Sequence, residues 1–168
     1  QEAASPHPLS PNAKLAVLGP TPLKVRKMIG FLARMLGRML FSFIFIAAGM
    51  SHFKDIKGTG AKIHPSFPVE YVGGLDNAVL IACGLMVGGG VLVALRIAPR
   101  LGSLCLIGFL VPTTYFVHVL GMQEAKDEGK KMEEMIAVMK NTALIGAALC
   151  IFGYECGGSS QGAKKKAE

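Results

Sequence analysis

Apolar residues along this chain fall into four long runs, and nearly every charge lies in the gaps between them. The runs begin near Met39, Gly73, Leu101 and Met135. Each lasts roughly twenty residues, the length a helix needs to cross a hydrocarbon core about 30 Å thick. The third run, Leu101 to Gln123, holds no Asp, Glu, Lys or Arg. The pattern predicts an all-α membrane protein, a four-transmembrane-helix bundle with an N-terminal amphipathic helix. The first span runs from Met39 to Phe53 and the second from Gly73 to Leu95. A turn over Arg96–Arg100 leads into the third, and the fourth begins in the charged segment 124–134 and reaches Tyr154.

The flanks read differently. Residues 1–22 carry Pro6, Pro8, Pro11, Pro20 and Pro22 and predict an extended, irregular arm. Over 23–38, Val25, Met28, Ile29, Leu32 and Met35 follow helical spacing while Lys24, Lys27, Arg34 and Arg38 fall mainly on the other side. This predicts a basic amphipathic helix at the membrane interface; the alternative is one long first helix whose arginines snorkel to the headgroups. The bundle proper occupies 39–154, and 155–168 is a low-complexity, Lys-rich tail. Pro112, followed by Thr113 and Thr114, predicts a kink in the third helix, with a threonine hydroxyl or a neighbour satisfying the freed carbonyl.

Composition supports the membrane reading. Of 168 residues, 51% are hydrophobic, which leaves too little polar surface to cover a soluble core. The 21 glycines would weaken helices in water but suit close packing of transmembrane helices. The net charge of +7 sits beside the apolar runs, pointing to topology and lipid headgroups rather than to nucleic acid. With four spans, the N-terminal arm, the Arg96–Arg100 turn and the tail share one side, which holds eleven of the eighteen Lys and Arg residues. The positive-inside rule places both termini on the cytosol, matrix or stroma side. Cys83, Cys105, Cys150 and Cys156 show no metal-ligand spacing, and a Cys150–Cys156 disulfide is not favoured. The start at Gln1 rather than Met fits either a removed organellar targeting peptide or an artificial start.

Ionisable residues inside spans are costly and are functional candidates by default. The topology puts His52 and His118 near the far ends of the first and third helices, and Asp76, Asn77, Lys140 and Asn141 near the beginnings of the second and fourth. All six fall toward one leaflet, where a compact bundle gathers them around one polar pocket. Each has a plainer reading: the histidines as interfacial residues, Asp76 as a helix N-cap. Lys140 must snorkel, pair with a carboxylate such as Asp76, or face a polar cavity. His52 and His118 are candidate ligands for a haem or a chlorophyll. Gly84 and Gly88 form a GxxxG face, extended by Gly89 and Gly90, for close approach of another helix within the bundle or in a partner subunit. Lys24, Lys27, Arg34, Arg38, Arg96 and Arg100 are candidate lipid-headgroup or partner contacts. The sequence shows no catalytic triad and no metal-binding motif.

Gly37-Arg38, the run Ala48-Gly49-Met50-Ser51-His52-Phe53, the glycine-rich second helix and the run Lys140-Asn141-Thr142-Ala143-Leu144-Ile145-Gly146-Ala147 resemble the DoxX-like family of small four-helix membrane proteins. The resemblance covers about Leu36 to Phe152 and leaves both tails outside. It implies the four-helix fold, a loose association with quinone-linked oxidation and redox homeostasis, and a part for Arg38, His52, Lys140 and Asn141.

Three functions follow from these features. The preferred one is a non-catalytic accessory subunit of a large energy-converting membrane complex. It is motivated by a processed N-terminus and by tails that need a partner surface to fold. A photosystem in the thylakoid is preferred to a respiratory complex in the mitochondrial inner membrane, with chlorophyll, carotenoid or lipid at the periphery. The alternative is a quinone-linked oxidoreductase that transfers protons through His52, Asp76, His118 and Lys140. The third is a small-solute transporter, which would need to oligomerise.

Overall fold

The computed structural model describes residues 23–164, with side chains over 24–155; the expectations for the proline-rich arm, Cys156 and the tail beyond Glu155 lie outside the described side chains. The chain divides into two units, residues 1–36 and 37–168. Helix α1 spans Leu23–Lys54, α2 Ile56–Gly60, α3 Leu75–Ala94 and α4 Pro99–Thr113. A π-helical turn, Thr114–Val119, carries α4 directly into α5, Leu120–Glu124, and α6 spans Glu128–Lys164. Among the described residues, four helical segments are long and apolar enough to cross a membrane: Lys24–Lys54, Leu75–Ala94, Pro99–Glu124 and Glu128–Glu155. The expected four-span, all-helical architecture is what the chain adopts.

Of the two readings offered for the first helix, a separate interfacial element or one long helix, the chain adopts the long helix. Leu23–Lys54 is one uninterrupted helix of 32 residues, about 48 Å long at 1.5 Å per residue. No proline interrupts it, and its Leu, Met, Ala, Arg and Lys residues are strong helix formers. In the first unit, Lys24, Lys27 and Arg34 are exposed, and so are the apolar Met28, Ile29 and Leu32.

Within the second unit, glycines bring the helices together. A Cβ on Gly102 of α4 would meet the Gly89 carbonyl oxygen of α3 at 2.7 Å, so these two backbones touch only because both residues lack side chains. Gly90 lies against Ile46 and the Ser42 carbonyl of α1, and Gly49 against Val87. Gly84 and Gly88, expected to form the packing face, are exposed, with no neighbour within 4 Å of an added Cβ. Contact within the bundle thus uses the next positions along α3. Around these contacts Phe45, Met86, Val93, Leu106, Leu110 and Ala148 form the buried core. Outward-facing Phe43, Ile81, Leu104, Val111 and Met139 are exposed, a surface suited to lipid.

At one end of the bundle, Arg38 of α1 is paired with Glu155 of α6, and their side chains are only 10% and 18% exposed. Arg100 donates to the Glu155 backbone carbonyl, and Arg96 lies 4.0 Å from its carboxylate. Arg38 therefore turns inward, toward an acid that the sequence reading had left in the tail. Arg96 is the one non-glycine residue with positive φ (59°) among the described residues.

Candidate functional site

The opposite end holds the polar cavity. Two features build it, and the first lies in α4. Pro112 has no N–H to donate, so the regular hydrogen-bond ladder is interrupted there. The helix responds with the π-helical turn rather than a simple bend, and the Thr114 hydroxyl donates to the Leu110 carbonyl at 2.6 Å. Such wide turns rotate the residues that follow them, and His118 lies inside this one.

The second builder is the segment after α1. The Asp55 carboxylate caps α2 by accepting the Gly58 N–H at 3.0 Å. The following loop is tied to α4 and α5. His64 donates its backbone N–H to the Phe116 carbonyl at 3.0 Å, and the Phe67 and Phe116 rings meet edge to face at 5.2 Å. His64 Nδ1 accepts the Ser66 N–H at 3.1 Å, so the ring proton sits on Nε2, which donates to Glu124 at 2.9 Å. These ties hold Lys62 and Ile63 over the end of the bundle.

The resulting cavity has a volume of about 270 Å³, and its polar lining comes from His52, Thr59, Lys62, Thr113, His118 and Lys140. His52 Nδ1 lies 3.4 Å from the Thr59 hydroxyl. His118 Nδ1 lies 2.7 Å from a Glu134 carboxylate oxygen of α6, and both side chains are largely buried. An ionised carboxylate only accepts, so Nδ1 carries the proton and the neutral ring keeps its Nε2 lone pair for another partner. Neither Lys62 nor Lys140 has a carboxylate within 4.0 Å among the described residues. The site is therefore rich in positive charge and holds one oriented base.

Three of the six residues expected in a common pocket meet here: His52, His118 and Lys140. Asp76 does not line it and is exposed in the first turn of α3. Nor is it the N-cap, a position taken by Gly74. Asn77 donates to the Gly73 carbonyl at 3.0 Å on the exposed surface, and Asn141 is 6% exposed in the packed interior. Sequence reasoning missed Glu134, Lys62 and Thr59. Glu134 sits in a run of charges that looks solvated, and nothing local ties it to His118. No group of three or more His, Cys, Asp or Glu side chains placed to hold a metal ion occurs among the described residues.

The sequence model of the DoxX family matches residues 33–119, just over half of the chain. The chain belongs to the DoxX family. Neither a curated protein nor a solved structure matches it. The matched segment includes Arg38, His52 and His118 and stops short of α6. Lys140 and Glu134 thus reach the site of this DoxX protein from outside the matched region, and the Lys140–Ala147 run is no part of the match. Four apolar spans and DoxX membership together make it a multi-pass membrane protein in contact with the lipid bilayer.

Proposed function

We propose that this DoxX protein is a quinone-binding subunit of an energy-converting membrane complex. The polar cavity takes the oxygen-bearing ring of a quinol or quinone, and His118 exchanges its proton. The observation that carries this reading is the composition of the cavity: two ammonium groups with no carboxylate within 4.0 Å among the described residues, beside an imidazole fixed by Glu134. Lys140 lies within the fourth span, where a cation is costly unless something offsets its charge. A ring oxygen, increasingly negative as its proton leaves, does so. The quinol O–H gives its proton to His118 Nε2, and the resulting imidazolium stays paired with Glu134. Lys62 and Lys140 stabilise the ring oxygen left behind. Oxidation to the quinone also releases two electrons, which pass to a redox centre on a partner subunit, and the second O–H proton, which passes to water, so the chain is accessory to electron transfer while it handles the first proton.

The preference for a photosystem rested on His52 or His118 as a chlorophyll ligand. His118 Nε2 is also the atom such a ligand would use, and an absorption spectrum of the purified protein separates pigment or haem from quinone. The decisive measurement is calorimetric titration of a benzoquinol analogue into the protein in nanodiscs. His118→Ala and Lys140→Met are each expected to weaken binding about tenfold, equivalent to about 1.4 kcal/mol and near the value of one charge-assisted hydrogen bond. Unchanged affinity in both variants overturns the proposal.

A further inference from the structure

Ile63, Ala78, Ala82, Phe109, Thr113 and Val117 line two hollows at once. One is the polar cavity. The other, about 160 Å³, lies between α3 and α4, with Phe67 and Phe116 on its wall. Apart from Thr113 its lining is apolar, and all the histidines and lysines stand on the other side of the shared wall. Two of the six shared residues are alanines, so the two hollows adjoin along a wall that is thin at Ala78 and Ala82. Gly108 and Ile81 line only the apolar hollow, and both are exposed on the face that meets lipid.

We infer that the two hollows form a single amphipathic site that opens sideways into the bilayer between α3 and α4, near Gly108. Its ligand class is a ring carrying a long apolar tail: the ring oxygens sit among Lys62, Lys140 and His118, and an isoprenoid tail fills the hollow between α3 and α4. A water-soluble quinone or phenol would use only half of it. The apolar hollow by itself would accept any acyl chain. The commitment to a ring-bearing tail comes from the wall it shares with a cavity charged at one end only, and so rests on the quinone reading for the head group. Lateral entry also suits a ligand that partitions into hydrocarbon and never needs to cross the loop pinned by His64.

The test compares a tail-less benzoquinol with its decyl-substituted analogue, each titrated into the protein in nanodiscs. Gly108→Phe and Ile81→Phe add bulk at the mouth. An added Cβ on Gly108 meets nothing within 4 Å, and Ile81 is 51% exposed, so both positions accept a larger side chain. Taking each affinity as a ratio to the unsubstituted protein removes the tail's partitioning into lipid. The expected result is a loss of at least fivefold for the decyl ligand in both variants, with less than twofold change for the tail-less one. If both variants bind the two ligands in the same ratio as the unsubstituted protein, the tail site is overturned and the head-group reading stands. If neither quinol binds the unsubstituted protein, both fall.

Discussion

Replacing one glycine at a time separates the helix contacts that hold this bundle from those that face outward. A Cβ at Gly102 would lie 2.7 Å from the Gly89 carbonyl oxygen, 2.9 Å from a Val93 methyl and 3.0 Å from Leu92 Cβ. Two of those neighbours are backbone or close to it, so α3 and α4 must separate. Overpacking of this kind costs about 1–3 kcal/mol, while alanine returns up to about 1 kcal/mol of helix propensity. The net expectation for Gly102→Ala is a loss of about 1–2 kcal/mol. At Gly84 and Gly88 the added methyl meets nothing, leaving only the propensity gain of up to about 1 kcal/mol. The two classes should therefore differ by about 1–3 kcal/mol, or roughly 2–12 °C in Tm for a chain of this size. Thermal unfolding in mild detergent, followed with a thiol-reactive dye, reads this through Cys83, which is buried. Cys105, Cys150 and Cys156 are first changed to Ala, which leaves Cys83 as the single thiol. If Gly84→Ala and Gly88→Ala cost as much as Gly102→Ala, the assignment of the packing faces on α3 is refuted.

Two further expectations use the same melt. Glu155→Gln leaves the Arg38 guanidinium, only 10% exposed, without its anion, and should cost about 1–3 kcal/mol, below the range for a fully buried pair. Arg38→Leu should cost less, because Arg96 and Arg100 remain beside Glu155; the reverse order contradicts this account. Arg96→Gly should raise stability by about 1 kcal/mol, since the side chain's 4.0 Å contact is weak and a left-handed backbone is costly for a residue with a Cβ. A lower Tm for this variant would show that the contact outweighs the strain.

The spans were legible because an uncharged run of twenty residues admits few other readings. The faces were not. On a helix one position is a turn of about 100°, so Gly84 and Gly88 face outward while Gly89 and Gly90 touch α4 and α1. Phase alone does not keep Asp76 out, since Val79 and Cys83, three and seven positions further on and nearly on its face, line the cavity. Asp76 stands apart because it lies in the exposed first turn of α3. His52, His118 and Lys140 could be grouped from topology, since span direction fixes the end at which each stands. Glu134 and Glu155 were hidden for a different reason. Their partners lie 16 and 117 positions away, and a carboxylate in a charged flank carries no local mark of its pairing. Pro112 announced a break in α4, yet the form it takes, a widened turn containing His118, depends on how the freed backbone repacks.

Those two carboxylates also give α6 something like a ruler. Glu134 and Glu155 stand twenty-one positions apart on one helix, about 31 Å along the axis, close to the thickness of the hydrocarbon layer. Each is pinned by a cationic or imidazole side chain from a different helix, Arg38 of α1 at one edge and His118 of the α4 extension at the other. A helix fastened at both membrane edges cannot slide like a piston, because lowering one carboxylate into its partner would pull the other out. The vertical position of Lys140 between them is thereby set to within a fraction of a turn, although α6 lies beyond the segment that marks the chain as DoxX.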